Sequence, residues 1–485
     1  MNPDTAELTV PQGVRELAPP AARAPARLAG GHRAWRALTG SRPAVWVARV
    51  RADPARALAV RDSWRALWSS RALVWAAGVG VVLLFGFGPH RTAFNPPGVS
   101  SGFGWLGDLL AAPAARWDAN WYLVIAHHGY HPALGAYTAS RDAFFPLYPL
   151  GIRLIGGLGV PAVAAGVLLS TGALALALYG LHRLTALELG EPGTRLPGRE
   201  RDVTRLAVYV CAFAPMAFFL SAVYSESLYL VLSIALFWSA RQGRWGYVGV
   251  LGALAGATRS TGLVLVLPAV MLYLYGPRRD RVADFARAGR ARLLPRYRLR
   301  REALWLALLP AGAVAYGAYL GLAGGDPLAP FNVQQGWSRH FAGPYVGAWD
   351  GLKAAFEGAR QLLSFQRAHL YFPAGGEDPF VASSHNLILF AFLAAAIPAV
   401  IGVLRTLPLA YGAYVLAALA LPLSDPVSTQ PLMSLPRFLL VLFPLFIWFA
   451  SWLARHPRAQ LPVLACSGLA MMVFAAQFTT WHWVS

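Results

Sequence analysis

Asp118 stands in the run RWDANWYLVIAHHGYH, and AFFPLYPL follows at 143–150, all within the first polar stretch after the first long apolar segment. A carboxylate held at a membrane surface among aromatics, histidines and prolines is suited to meeting a lipid-borne substrate. A sugar transfer from a lipid phosphate to a hydroxyl needs a group that takes or orients the hydroxyl proton. It also needs cations that stabilise the departing phosphate. Asp118 offers the first function. Arg259 in ATRSTG and Arg437 in SDPVSTQPLMSLPR offer the second, because a guanidinium can hold a phosphate through two parallel N–H bonds.

These residues need membrane helices to position them. Mean hydropathy is +0.47, 56% of residues are hydrophobic and 13% are charged, and several apolar runs reach the ~20 residues that cross a hydrocarbon core. The net charge of +20 is a topology signal and does not point to nucleic acid. Most of the arginines fall in clusters at 1–71, 183–205, 241–244, 278–301, 405 and 455–458, alternating with apolar spans as cytoplasmic loops do. The chain has a single lysine, Lys353, and its wealth of Ala, Gly, Arg and Pro is that of a GC-rich bacterial gene. Its two cysteines, Cys211 and Cys466, both fall in apolar runs and imply no disulfide framework.

The expected fold is all-α and polytopic. Spans are expected near 72–88, 160–183, 205–222, 225–241, 246–258, 261–276, 303–323, 385–404, 407–423, 436–454 and 461–481, about eleven crossings in all. Residues 1–70 read as a basic cytoplasmic tail, disordered or lying on anionic lipid, and 71–485 as the membrane domain with large external loops at 89–143 and 324–384. Residues 144–158, interrupted by Pro146 and Pro149, read as a half-helix or an interfacial segment. RQGRWG and GPRRDR both call for the cytoplasm, so the chain between them goes out and returns, and Arg259 lies at the outer tip. The same reasoning puts Asp118, the helix break at Tyr224-Ser225-Glu226, and the turn 424–437 on that face. The aromatics of loop 324–384, among them Trp337, Tyr345 and Trp349, suit it to lying on the bilayer.

Each candidate also has a plainer reading. Asp118 is placed to cap a short helix beginning at Ala119. Glu226 opens a helix whose dipole favours a carboxylate. Arg259 and Arg437 can reach the headgroups or pair with Glu226. His127, His128 and His131 are spaced for a metal, but Gly129 and Pro132 interrupt the helix and no acidic partner is well spaced, so neither metal nor other cofactor is expected. The pair Gly252 and Gly256 reads as helix packing. No phosphate-binding or dinucleotide glycine motif occurs.

Five stretches in order, RWDANWYLVIAHHGY at 116–130, FFPLYPL at 144–150, FLSAVYSESLYLVLS at 219–233, GATRSTG at 256–262 and SLPRFLLVLFPLF at 434–446, resemble the PIG-V mannosyltransferases. These are integral membrane glycosyltransferases of the GT-C class, which include the enzyme adding the second mannose of GPI anchors. The resemblance implies a GT-C-like bundle, a catalytic carboxylate at Asp118, and a polyprenyl-phosphate-mannose donor used away from the cytoplasm with inversion and without nucleotide. The resemblance does not carry the acceptor; in a chain of bacterial composition an inositol glycolipid, a lipoglycan or another mannosylated surface molecule is expected. The combined expectation is a multi-pass cell-membrane mannosyltransferase with Asp118 catalytic, Arg259 and Arg437 on the donor phosphate, and His128, Tyr148, Tyr224 and Glu226 shaping the sugar site. The alternative is a transporter or flippase of a lipid-linked sugar, for which internal repeats are the expected sign.

Overall fold

The computed structural model describes residues 53–89, 94–130, 141–189, 200–281, 295–371 and 378–484. In chain order its helices are α1 (Pro54–Phe85), α2 (Gly104–Ala111), α3 (Ala119–His128), α4 (Leu147–Gly156), α5 (Ala162–Leu189), α6 (Glu200–Ala212), α7 (Glu226–Arg241), α8 (Trp245–Gly256), α9 (Val266–Tyr275), α10 (Ala311–Leu322), α11 (Ala329–Asn332), α12 (Pro344–Leu363), α13 (Pro379–Thr406), α14 (Leu409–Ser424), α15 (Leu435–Leu440), α16 (Phe443–Arg455) and α17 (Pro457–Thr479). Among the described residues there is no strand, only the isolated bridges Pro97↔Ser101 and Arg339↔Val427. The unit that holds the site runs from Leu58 to Ser485.

The long helices are apolar on the outside. Four of them, α1, α5, α13 and α17, are long and apolar enough to cross a membrane, yet only 22% of the apolar window of α17 and 44% of that of α5 is buried. Leu84, Phe85, Leu158, Leu322 and Leu461 all stand exposed. Water would not tolerate such continuous apolar surface, whereas hydrocarbon does. The protein is therefore an all-α, multi-pass membrane protein.

The expected crossings are not all continuous helices. The run 303–323 is a 3-10 turn, Arg301–Leu308, bent by 43° from α10 at Pro310, and counting that pair raises the candidate spans to five. The run 205–222 stops at Ala212, three residues before Pro215, and resumes as the 3-10 turn Ala217–Leu220. The run 436–454 is divided between α15 and α16, with Pro444 in the first turn of α16. Proline lacks the N–H that a helix interior needs, so an apolar run of spanning length need not be one helix, and broken backbone is tolerated where protein surrounds it. Within residues 144–158 only Leu147–Gly156 is helical, the short α4, about 15 Å long.

The first helix also departs from expectation, since α1 starts at Pro54, well inside the stretch read as tail. Asp53 Oδ1 accepts the N–H groups of Ala55 and Arg56 at 3.0 and 3.2 Å, and proline in the first turn needs no such partner. Arg71, placed at the tail boundary by sequence, is buried and donates to Ala217 O at 2.7 Å, Ser221 Oγ at 2.8 Å and Ala212 O at 3.1 Å. The reading of residues 1–52 lies outside the described residues. Loop 324–384 holds the twenty-residue α12, which packs along α13 and α14.

Candidate functional site

Asp118 occupies the N-cap position of α3, but its carboxylate makes no capping bond. Trp117, immediately before it, has φ of +55°, a left-handed backbone that side-chain-bearing residues rarely adopt. Packing holds it there. The Trp117 ring lies 5.0 Å from Trp483, 5.7 Å from Trp481 and 5.8 Å from Phe94. Arg116 donates through Nε to Thr479 O at 3.0 Å and stacks over Trp481 at 4.8 Å. The motif is thus anchored to the C-terminal end of α17. The turn sends Asp118 away from its own helix toward Arg437, whose Nη1 donates to Oδ2 at 2.7 Å.

Arg437 sits on α15, which starts from Ser434 with φ of +68°, a second left-handed residue that is not glycine. Its guanidinium lies over the rings of Tyr224 at 5.4 Å and Phe219 at 5.7 Å, an arrangement that favours a cation electrostatically. Arg437 Nε lies 3.1 Å from Glu226 Oε1, an ion-pair distance whose N–H direction falls short of a hydrogen bond. Glu226 begins α7, where the helix dipole favours its charge, and is 1% exposed. Its Oε1 also accepts Arg259 Nη1 at 2.9 Å. Arg259 stands in extended backbone between α8 and the 3-10 turn Ser260–Leu265. Gly262 closes that turn, since a Cβ there would run into the backbone of Ala255 and Gly256. Asp118, Arg437, Glu226 and Arg259 therefore form one chain of charges drawn from four separate elements.

This chain borders a cavity of about 420 Å³ whose lining includes Asp118, Arg259 and Arg437. Of the plainer readings, pairing of both arginines with Glu226 is what the geometry contains, and capping by Asp118 is not. Glu226 lies behind the arginines as their counter-ion and does not line the cavity. Its Oε2 has no hydrogen-bond partner among the described residues.

Three expected sugar-site residues are placed elsewhere. Tyr148 is fully buried, with its hydroxyl shared between Ser170 Oγ at 2.6 Å and Gly166 O at 3.2 Å. Tyr224 spends its hydroxyl on Arg116 O at 3.0 Å and meets the site only through the ring beneath Arg437. His128 is at the far end of α3, about 15 Å along the helix from Asp118, and is not in the lining. Tyr122, one turn from Asp118, lines the cavity, and its hydroxyl shares a hydrogen with Ser225 Oγ at 2.9 Å. His131 lies outside the described residues, so the histidine spacing has no structural counterpart here.

Sequence reasoning missed Arg339 and Asp425, which both line the cavity. Arg339 donates to Asp425 O at 3.2 Å and Met433 O at 3.3 Å. Burial lowers its pKa to about 10, the neighbouring Arg437 adds to the shift, and Asp425 and Asp118 oppose it. The guanidinium remains charged at neutral pH. Burial raises the Asp425 pKa, against the pull of Arg339 and His340. The overlooked signal was position: Arg339 stands outside every arginine cluster that topology explains.

The mannosyltransferase (PIG-V) family profile matches residues 88–275. Over 183 residues the chain is 34% identical to GPI alpha-1,6-mannosyltransferase 2 of Cricetulus griseus and 33% identical to that of Rattus norvegicus, covering 36% of this chain and 35% of each relative. The human protein of that name is 32% identical over 189 residues, again 36% and 35% of the two chains. The chain thus matches about a third of the length of these curated relatives. A crystal structure of the Archaeoglobus fulgidus oligosaccharyltransferase, tethered with an acceptor peptide, is similar at a TM-score of 0.37 and 12% identity over 86% of this chain and 56% of that one, too distant to support a conclusion. Through the region that contains Asp118, Glu226 and Arg259, the chain is similar to the mannosyltransferase (PIG-V) family.

Proposed function

We propose that the protein is a membrane mannosyltransferase that moves mannose from a polyprenyl-phosphate carrier to a hydroxyl of a glycolipid or other surface acceptor. The observation that carries this reading is the Asp118 carboxylate, which forgoes its own helix cap and is fixed by Arg437 at the wall of the cavity. Oδ2 is held by Arg437, and Oδ1 has no protein donor among the described residues. Oδ1 accepts the proton of the acceptor hydroxyl as that oxygen attacks the anomeric carbon. The bond from this carbon to the phosphate oxygen breaks, the electron pair leaves with the prenyl phosphate, and the new glycosidic bond forms on the opposite face of the sugar. Arg259 and Arg437 supply N–H donors on the side where negative charge accumulates.

The names of the matched relatives support a mannosyl transfer. The arginine clusters support an extracytoplasmic site in the cell membrane. Glu226 opens the sixteen-residue α7 and Arg241 closes it, about 24 Å away, while α8 carries the chain back to Arg259. Arg241, Arg244 and Arg278 therefore mark the helix ends remote from the site, and the bias of arginine toward the cytoplasm leaves the site on the other side.

The test is transfer of labelled mannose from synthetic polyprenyl-phosphate-mannose to an extract of native membrane lipids. Wild type should give a labelled product, and Asp118→Asn should insert normally and lose roughly 10²- to 10⁴-fold in rate, the range for a general base. Normal turnover by Asp118→Asn would remove Asp118 from the chemistry. Donor binding with no product from either protein would reject the transferase reading.

A further inference from the structure

The charges around the cavity are unevenly paired. Arg437 contacts Asp118 Oδ2 at 2.7 Å and Glu226 Oε1 at 3.1 Å, and Arg259 contacts Glu226 Oε1 at 2.9 Å. Two guanidiniums thus share two carboxylates, and this cluster has no net charge. Arg339 differs from both. No carboxylate lies within ion-pair distance of it among the described residues, and Asp425 offers it a backbone carbonyl in place of its acid group. Its two bonds to carbonyls, at 3.2 and 3.3 Å, lie at the long end of the range for such contacts. A lining cation whose only fixed partners are weak neutral acceptors has donors to spare for an anion, and an anion brought into the cavity would offset the cost of its burial.

The segment that carries Arg339 faces the same space. Pro330, Phe331, Gln334 and Trp337 line the cavity alongside it, and the bridge from Arg339 to Val427 ties this wall to the turn before Arg437. An anionic head beside Arg339 would have aromatic and apolar wall next to it, as a prenyl phosphate requires.

We infer that Arg339 is the residue that binds the donor's phosphate, supplying a guanidinium with no carboxylate at ion-pair distance among the described residues to the single negative charge of a prenyl phosphodiester. This rests on the donor class proposed above, and it makes Arg437 the holder of Asp118 and Arg259 the partner of Glu226, both hydrogen-bond donors more than sources of net charge. Arg339 lies outside the region matched by the family profile, so its assignment comes from the geometry alone.

The experiment measures equilibrium binding of radiolabelled farnesyl methyl phosphate, a diester with one negative charge, and of farnesol, its uncharged counterpart, to the full chain in lipid nanodiscs. Wild type should prefer the diester about tenfold or more, the range for a charge-assisted hydrogen bond. Arg339→Gln should lose that preference and keep its affinity for farnesol, while Arg339→Lys, with a charge but no fork, should retain part of it. An unchanged preference in Arg339→Gln would overturn the assignment while leaving the donor class intact. Equal weakening of both ligands would also overturn it, reducing Arg339 to a strap on the Asp425 and Met433 carbonyls. Absence of diester binding in wild type would overturn the donor class as well. If Arg339→Gln fails to fold, Arg339→Lys decides: a lowered preference with unchanged farnesol binding supports the assignment, and an undiminished preference refutes it.

Discussion

Replacing Glu226 by Gln tests whether the buried charge chain is a coupled unit. Gln keeps the shape of the side chain and removes the charge that Arg259 and Arg437 share at 2.9 and 3.1 Å. At an effective dielectric near 20, each contact has a gross attraction of about 5 kcal/mol, of which desolvation of the partners cancels a large part. Breaking a buried pair by removing one partner costs roughly 3–5 kcal/mol, chiefly because the remaining charge is left uncompensated. Arg437 retains Asp118 in this variant, so the orphan is Arg259, whose side chain is 11% exposed and gains some help from water. The expected loss is therefore near the lower end, about 3 kcal/mol. Glu226→Gln combined with Arg259→Gln removes the orphan as well as the pair, and should recover about 1–2 kcal/mol relative to the sum of the single changes. Denaturation in mixed micelles, with midpoints compared at constant slope, reads both quantities. A Glu226→Gln protein within about 0.5 kcal/mol of wild type, or strict additivity in the double variant, would refute the coupling.

Two further changes separate packing from chemistry. Tyr148→Phe should cost about 1 kcal/mol of stability, since Ser170 keeps its bond to Tyr224 O at 3.2 Å, and should leave mannose transfer within a few fold of wild type; a large loss of transfer would return Tyr148 to the site. Gly262→Ala should destabilise by at least about 2 kcal/mol and impair transfer, because the added methyl meets backbone at Ala255 and Gly256 and displaces the turn that carries Arg259; a stable, active variant in the same assays would show that the turn has room.

The polar outliers of the sequence include the four charges that the structure brings together beside the cavity. Asp118, Glu226, Arg259 and Arg437 are charged residues beside apolar helices, where charge is costly enough to require a partner, and the structure joins all four. Arg339 escaped because the hydrogen-bond partners of its guanidinium, among the described residues, are the carbonyls of residues 86 and 94 positions further along, and backbone groups leave no mark in residue types. Tyr148 and Tyr224 share the motif neighbourhood of these residues, yet hydroxyl direction depends on the local fold, which turns both toward buried acceptors.

Composition and hydropathy by themselves determined an all-helical membrane chain, a tip at Arg259 between returning helices, and a half-helix after Pro146, because these depend on local apolarity, charge and proline. Only tertiary packing decided which apolar runs remain continuous. It also decided that Asp118 abandons its cap for an arginine 319 residues away. That choice depends on a left-handed turn at Trp117 held in place by Phe94, Trp481 and Trp483, and such a conformation persists only where distant side chains over-determine it.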